Sequence, residues 1–423
     1  MVLIVGIHPK MFNGRALSSY LHLGVRSSAL RRLWAGFIFG LLASTSAYSQ
    51  TLSGTLTGIN TLNDTTTLVG NITNNGVLII NKTTTTFTLT NLISGTGSLR
   101  AIVAASPTGG LIMTAANGYG GVTQVDSSSS GSRANFILSN PVGAALYKGT
   151  NGQIIIGNSV YLQTKGANQL GSNVNVRWNV TNNANYGYFV LLGQNQAVGN
   201  LDPGTDAARA VIENTEGETG VANSILTVHQ TSDVLFTGFI RNTSTGSGTL
   251  GIIKNGSGKL TLTGANISYT GTSVVNEGEM VLSNATAYVS ATTVQNSGVV
   301  RLIGSVGAGA SVVATNGGTV EGSGTIPSLS IRSNGLVKIA SASTNSAGAW
   351  NTGGTINFNI GSKIDVTGLS LSQQPYILIR GSSVSGTPIL QGVTGFTVAN
   401  SSNTITLTPT LDSDGDGLTD YQE

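Results

Sequence analysis

The chain has 423 residues, of which 39% are hydrophobic and 9% are charged, and it contains 58 glycines and no cysteine. This composition excludes a disulfide framework, a thiolate metal site and a disordered polyelectrolyte, and its many β-branched residues and glycines predict an all-β class with tight turns. The formal net charge of +3 depends on five basic residues within the first 49 positions, so the remaining chain offers no basic patch and no nucleic-acid partner is expected.

Residues 1–49 are interpreted as a secretory signal peptide with a long leader. Arg31 and Arg32 precede a mostly apolar run from Leu33 to Ala43, and small residues follow the run up to Ser49. This order is typical of an export signal, and the run is short for a membrane span. An uncleaved membrane anchor is the alternative. We therefore expect a secreted or cell-surface protein whose fold begins near Gln50, with no transmembrane segment in the mature chain.

Residues 50–340 are predicted to form β-helix repeats, because a regular period follows Gly256. Glycines recur in one column, and apolar residues recur two and four positions after each glycine: Gly258, Gly278, Gly298 and Gly318; Leu260, Met280, Val300 and Val320; Leu262, Leu282 and Leu302. Apolar residues at a spacing of two form one face of a strand. Such a unit cannot bury that face alone, whereas stacked copies place it in a continuous interior column. The pattern predicts a parallel β-helix with coils of about 20 residues.

The turns of these repeats and the end of the array carry two further predictions. Asn276, Asn296 and Asn316 precede the glycines, and we expect them to provide left-handed turns and to hydrogen-bond to one another from coil to coil. Residues 341–411 have a different rhythm, which indicates C-terminal solenoid coils or a cap.

The segment GIIKNGSGKLTLTGANISYTGTSVVNEGEMVLS, residues 251–283, resembles the autotransporter-associated β-strand repeat, also called the passenger-associated transport repeat. The resemblance depends on Gly251, Lys254, Gly256, Gly258, Leu260, Leu262, Gly264, Asn266, Tyr269 and Gly271. It implies a right-handed parallel β-helix displayed outside a bacterial cell. Our hypothesis for the whole chain is a structural or adhesive role without catalysis, with surface glycans or other cell-surface proteins as partners.

The last twelve residues, DSDGDGLTDYQE, are predicted to form an EF-hand-like calcium loop over 412–423. Hard cations such as calcium need several oxygen ligands from a sharply turned loop, and the acids stand at the required spacing. The predicted metal ligands are the carboxylates of Asp412, Asp414, Asp416, Asp420 and Glu423 and the backbone carbonyl of Leu418. The loop resembles those of dockerin modules and thrombospondin type 3 repeats. A solvated acidic tail is the alternative.

Candidate catalytic residues are few. His229 has no second histidine after residue 50 with which to share a metal or a proton relay, so an ordinary surface or turn role is expected. The densest acidic stretch of the body contains Asp202, Asp206, Glu213, Glu216 and Glu218. Paired carboxylates can hydrolyse glycosides, and the alternative function is therefore a carbohydrate-active β-helix enzyme. A solvated loop is the simpler interpretation of this stretch.

Overall fold

The computed structural model describes residues 50–422 except for 85, 107–108, 130, 147–151, 183, 216–219, 244–247 and 346. The predicted signal peptide and Glu423 therefore lie outside the described residues. The described part is all-β, with 38 strands and one short 3-10 helix, Ala207–Arg209, and it contains no α-helix. None of its helices is long and apolar enough to cross a lipid bilayer.

The strands are short and follow one another closely along the chain. The first twenty are β1 (Gln50–Leu56), β2 (Ile59–Asn63), β3 (Thr66–Asn74), β4 (Val77–Lys82), β5 (Thr86–Leu89), β6 (Ile93–Ser94), β7 (Ser98–Val103), β8 (Gly110–Met113), β9 (Thr123–Ser127), β10 (Ala134–Leu138), β11 (Gln153–Ile156), β12 (Val160–Thr164), β13 (Asn175–Trp178), β14 (Gly187–Val190), β15 (Gln196–Val198), β16 (Leu201–Asp202), β17 (Ala210–Thr215), β18 (Ser224–His229), β19 (Val234–Phe236) and β20 (Phe239–Thr243). The others are β21 (Leu250–Asn255), β22 (Lys259–Thr263), β23 (Ser273–Val275), β24 (Glu279–Ser283), β25 (Ala291–Val294), β26 (Val299–Ile303), β27 (Ser311–Ala314), β28 (Thr319–Gly322), β29 (Ile326–Ile331), β30 (Leu336–Lys338), β31 (Trp350–Asn351), β32 (Gly353–Phe358), β33 (Lys363–Asp365), β34 (Tyr376–Arg380), β35 (Ser383–Ser385), β36 (Ile389–Gln391), β37 (Phe396–Asn400) and β38 (Thr404–Pro409).

These strands stack in parallel as a β-solenoid of about 13 coils, which confirms the predicted fold. Two seven-stranded sheets run along its first part, in the orders β2-β4-β7-β9-β11-β13-β16 and β5-β8-β10-β12-β14-β17-β20. We call the second of these the β5–β20 sheet. In the later part, a nine-stranded sheet runs from β15 to β35 and an eight-stranded sheet runs from β19 to β36. The strands of these four sheets pair with strands of the neighbouring coils.

Coil length varies although the register between coils is kept. Lys259 pairs with Glu279, Glu279 with Val299 and Val299 with Thr319, so the predicted twenty-residue coil is found in this region. Earlier in the chain Thr123 aligns with Ile154, 31 residues later. Residues 139–146, described between β10 and β11, lie outside the strands, where a chain tolerates insertions without disturbing the ladder. Repeat length is therefore strict in only one part of the array.

The interior of the coils consists of the predicted apolar columns. Leu260, Met280, Val300 and Val320 are fully buried, and each is the register partner of the next. Burying a side chain of this kind contributes about 1.5 to 3 kcal/mol, which offsets the cost of ordering the chain. The stacking of apolar side chains across coils therefore stabilises the solenoid along its length.

The glycine column of the repeats has a different cause from the one predicted. Gly278 has a positive φ of 62°, but Gly258, Gly298 and Gly318 do not. A Cβ atom added at Gly318 would lie 2.2 Å from the carbonyl oxygen of Val294 in the preceding coil. An added Cβ would lie within 2.6 Å of a neighbouring backbone atom at all four positions, so close approach explains the whole column, and Gly278 alone also needs the left-handed conformation.

The predicted contacts among Asn276, Asn296 and Asn316 are found only in part: the side-chain amide of Asn296 lies 3.5 Å from the side-chain oxygen of Asn276, and the backbone N–H of Asn296 donates to the carbonyl of Asn316 at 3.0 Å. The side-chain amide of Asn276 donates to the side-chain oxygen of Asn255 at 2.9 Å, and Gln295 donates to Asn276 at 2.9 Å. Asn296 and Asn316 have the predicted positive φ, 56° and 48°, whereas Asn276 does not. These side chains satisfy polar groups at a corner of the solenoid that the apolar columns do not cover.

The C-terminal end is covered by an antiparallel hairpin. Strands β37 and β38 pair with each other, and β38 also pairs with β34. The backbone N–H of Val384 in β35 donates to the carbonyl of Ser402 in the hairpin at 2.9 Å. The hairpin therefore shields part of the last coil, whose strand edge would otherwise be open to another chain.

Candidate metal centre

The terminal loop brings three of the predicted ligands together. Asp412, Asp414 and Asp416 each place a carboxylate oxygen within 4.8 Å of the others. The two carboxylate oxygens of Asp412 accept the N–H groups of Gly415 at 2.7 Å and of Gly417 at 2.9 Å. Gly417 has a φ of 95°, as a sharp turn at the sixth loop position requires. The first carboxylate thus holds the turn that gathers the cluster.

Backbone hydrogen bonds define the rest of the loop. The N–H of Leu418 donates to the Asp416 carboxylate at 2.8 Å, and the N–H of Asp420 donates to the carbonyl of Leu411 at 2.8 Å. The second of these contacts ties the loop to Leu411, the second residue after β38. An ion held by the loop would therefore be held close to the C-terminal hairpin.

Asp420 does not belong to the group of three. Its carboxylate accepts both the hydroxyl and the backbone N–H of Ser413, each at 2.7 Å, and these bonds hold the pKa of Asp420 below its ordinary value. Glu423 lies outside the described residues, so the twelfth ligand position is not described. Of the predicted ligands, Asp412, Asp414 and Asp416 lie together, whereas the carboxylate of Asp420 is hydrogen-bonded to Ser413.

The chemistry of the donor set fits a hard cation. Three carboxylates at this spacing repel one another, and a divalent cation relieves that repulsion. The cluster contains neither histidine nor cysteine, the nitrogen and sulfur ligands that zinc prefers. Calcium accepts six to eight oxygen ligands in flexible geometry, so backbone carbonyls and water would complete its coordination.

The acidic stretch of the body is arranged differently. Each described carboxylate there is paired with an arginine: Asp202 with Arg177 at 3.4 Å, Asp206 with Arg209 at 4.0 Å, and Glu213 with Arg241 at 2.8 Å. Asp202 belongs to β16 and Glu213 to β17, which lie in different sheets. Glu216 and Glu218 lie outside the described residues. His229, at the end of β18, is half-buried beside Asn255 of the next coil.

Lys254 is a buried cation that the sequence interpretation did not identify. Its side chain is fully buried, and its ammonium donates to the backbone carbonyls of Asn255 at 3.1 Å, Gly256 at 2.6 Å and Glu277 at 3.1 Å. Burial lowers the pKa of Lys254 to about 8. Its position could have been read from the alternation in β21, because Leu250 and Ile252 are buried and Lys254 follows at the same spacing.

Buried tyrosines form a second feature that sequence interpretation missed. The hydroxyl of Tyr119 bonds to Thr123 at 2.6 Å, and that of Tyr269 bonds to Ser273 at 2.8 Å. Tyr288 contacts Thr292 in the same way, so a tyrosine and a hydroxyl residue four positions later recur three times. Burial raises the pKa of Tyr119 and of Tyr269 above the ordinary value. This spacing of tyrosine and a hydroxyl residue is visible in the sequence, and in each of the three cases the tyrosine ring is buried in the core.

No protein-family model matches the chain, and no curated protein matches it. The structure is that of a β-helix repeat protein, and the comparisons do not assign the chain to a family. The similarity to the autotransporter-associated repeat stays a prediction from the motif in residues 251–283.

Proposed function

We propose that this chain is an exported β-solenoid of the autotransporter-passenger type, with a structural or adhesive role outside the cell and one calcium-binding loop at its C-terminal end. The observation that carries the proposal is the solenoid itself, whose coils stack from β2 to β36 around neutral apolar columns. The order of charge, apolar core and small residues before Gln50 supports export. The right-handed sense of the coils belongs to this proposal and agrees with the usual handedness of parallel crossovers.

Export is tested by producing the full chain in a Gram-negative host. We expect mass spectrometry to find an N-terminus near Gln50 on material outside the cytoplasm, and added protease to reach the protein on intact cells. A variant with Arg31→Glu and Arg32→Glu is the matched control, because it reverses the charge that precedes the apolar run and should stay unprocessed. Full-length protein confined to the cytoplasm would contradict the proposal.

The calcium loop is proposed because Asp412, Asp414 and Asp416 converge within 4.8 Å on a turn held by Gly417. An extracellular loop of this kind is expected to bind calcium with a dissociation constant of about 10⁻⁴ to 10⁻³ M. At a thirtyfold excess of calcium over that constant, the ion would stabilise the structure coupled to the loop by about 2 kcal/mol.

Calorimetric titration of calcium into the chain tests the loop. Asp412→Asn should abolish the heat of binding, since the first position of the loop requires a carboxylate and the Asp412 carboxylate also accepts the N–H of Gly417. Asp202→Asn, which makes the same change at a carboxylate on the body of the solenoid, should leave it intact. Absence of heat with the unmodified chain, together with unfolding that a chelator does not affect, would exclude a calcium site.

The proposal includes the absence of catalysis, and a screen for polysaccharide cleavage tests it. Asp202, Asp206 and Glu213 are each paired with arginine, and two of them lie in different sheets. We expect no turnover on uronate or neutral polysaccharides. Turnover that disappears in Asp202→Asn or Glu213→Gln would replace the structural role with a carbohydrate-active one.

A further inference from the structure

The outward side of the nine-stranded sheet carries an unbroken column of neutral side chains. Each strand contributes one outward residue, which is the register partner of the next and is half-buried or exposed: Ala197, Thr227, Ile253, Val274, Thr293, Val313, Ser330, Asn357 and Ser385. A second outward column lies beside it from β25 to β35: Ala291, Ser311, Ser328, Thr355 and Ser383. We call the two columns together the neutral ribbon. All nine strands lie within the described residues.

The neutral ribbon differs from the outward sides of the other long sheets in its lack of charge. Its nine strands contain no arginine, aspartate or glutamate. Their one lysine, Lys254, is fully buried on the inward side, and His229 lies outside the ribbon at the end of β18. The other three long sheets carry both signs: Arg100 and Asp126 in the sheet from β2 to β16, Arg241 and Glu213 in the β5–β20 sheet, and Arg301 and Glu279 in the eight-stranded sheet.

Several hydroxyl groups of the neutral ribbon are available to a partner. The hydroxyls of Thr227, Thr293, Ser311, Ser328 and Ser383 make no hydrogen bond to another described residue, and each of these residues reaches solvent. A hydroxyl group both donates and accepts a hydrogen bond, so it can pair with the same group on an identical surface. A carboxylate only accepts and an ammonium only donates, so neither can pair with itself.

We propose that the neutral ribbon binds the neutral ribbon of a second copy of this chain. The two copies are related by a two-fold axis, so that β25, the middle strand of the nine, faces β25 of the other copy. A two-fold contact places the same surface on both sides, and a charged surface would therefore meet its own charges, whereas the neutral ribbon meets none. The strands repeat about every 4.8 Å along the solenoid, and a second copy has the same repeat, so each strand can face a strand.

The size of the neutral ribbon fits a weak, reversible dimer. Nine strands give a length of about 38 Å at a spacing of about 4.8 Å, and four residues of strand give a width of about 13 Å. Each copy would bury about 500 Å², or about 1,000 Å² in total, which is at the lower limit for a specific interface. We therefore expect a dissociation constant of about 10⁻⁶ to 10⁻⁴ M.

Other occupants fit the neutral ribbon less well. A charged partner would lose solvation on this side and find no ion pair in return. The ribbon also contains no aromatic residue, so it has no ring on which a neutral sugar could pack its apolar face. The proposal goes beyond the proposed extracellular role and does not depend on export or on the calcium loop.

Sedimentation velocity of the purified chain, at about 1 to 200 µM, tests the proposal. We expect a reversible monomer–dimer equilibrium that does not weaken between about 50 and 300 mM salt, because the contact has no charges to be screened. Thr293→Lys should weaken association by about tenfold or more, since the two lysines would face each other across the contact. Thr261→Lys makes the same change on the eight-stranded sheet and should alter association less than about twofold.

A charge-reversed pair tests the two-fold arrangement directly. Thr293→Glu should weaken association as Thr293→Lys does, because each brings like charges together. An equal mixture of the two variants should associate again, since lysine then faces glutamate. A mixture that stays monomeric would refute the two-fold contact at β25.

Circular dichroism and thermal melting of each variant establish that the solenoid is still folded. A chain that stays monomeric up to about 200 µM would overturn the proposal, and so would dimers that both Thr293 variants retain. An equal loss with Thr261→Lys would overturn it as well, because added charge and not the ribbon would then be the cause. Binding of a monomeric chain to dextran would replace the second copy with a neutral polysaccharide. None of these outcomes affects export, which is measured separately in cells.

Discussion

The buried ammonium of Lys254 makes the stability of the solenoid depend on pH in a specific direction. The pKa of Lys254 is lowered by burial from the ordinary 10.5 to about 8. Between these values the unfolded chain still holds the proton that the folded chain has released, so the free energy of unfolding rises with pH. A shift of this size corresponds to about 3 kcal/mol across the whole window, and below pH 8 that stabilisation is absent.

Replacing Lys254 with methionine removes the titrating group and keeps a long apolar stem. Urea denaturation of the original chain, followed by circular dichroism, should give a midpoint that rises between about pH 8 and pH 10.5. In Lys254→Met the rise should disappear, whatever the direct effect of the substitution at neutral pH. Lys338→Met is the control, because Lys338 is an exposed lysine of β30 and its loss removes the same formal charge.

The pH dependence of the urea midpoint in the original chain and the two variants shows whether Lys254 is the titrating group. If Lys254→Met and the original chain give parallel midpoints across this window, Lys254 keeps its ordinary proton affinity in the folded state. The three carbonyl contacts would then compensate fully for burial, and the linkage argument would be wrong. If Lys338→Met removes the rise as well, the effect belongs to net charge and not to the buried site.

Three substitutions within the coils test the packing, each by its change in urea midpoint. Gly318→Ala should destabilise the chain by several kcal/mol, because its Cβ would lie 2.2 Å from a backbone carbonyl oxygen, whereas Gly120→Ala, with no atom nearer than 3.7 Å, should have little effect. Leu260→Ala should cost about 2 to 5 kcal/mol, and Thr261→Ala on the outward side of the same strand less than about 1 kcal/mol. Tyr288→Phe should cost about 1 kcal/mol, since it leaves buried hydroxyl partners without the phenol; equal midpoints would mean that those hydroxyls find other partners.

The fold could be predicted because its signals repeat. Leu260, Met280 and Val300 recur at a fixed distance, and one period suffices to predict both strand direction and inward face. The long coil from Thr123 to Ile154 gave no such signal, since residues added in surface loops leave the ladder intact and follow no pattern. Periodicity therefore predicted the architecture but not the length of each coil.

Residue roles were harder to predict where two causes give the same residue type. Glycine is required both where the backbone is left-handed and where a neighbouring backbone lies too close for a Cβ atom. Gly278 and Gly318 therefore look alike in the sequence, although only Gly278 has a positive φ. The acidic loop was easier, since the spacing of Asp412, Asp414 and Asp416 itself brings the carboxylates together. The partner that Asp420 takes, Ser413, depends on the loop conformation and had no signal in the spacing.

The strict register between Lys259 and Thr319 has a consequence for how this protein can change over generations. Each coil there presents the same upper and lower surface to its neighbours, so gaining or losing one twenty-residue unit leaves every remaining ladder complete. One such event lengthens or shortens the molecule by about 4.8 Å and creates no new kind of contact. Duplication or deletion of whole coils can therefore change the distance from the first strand to the terminal loop in equal steps.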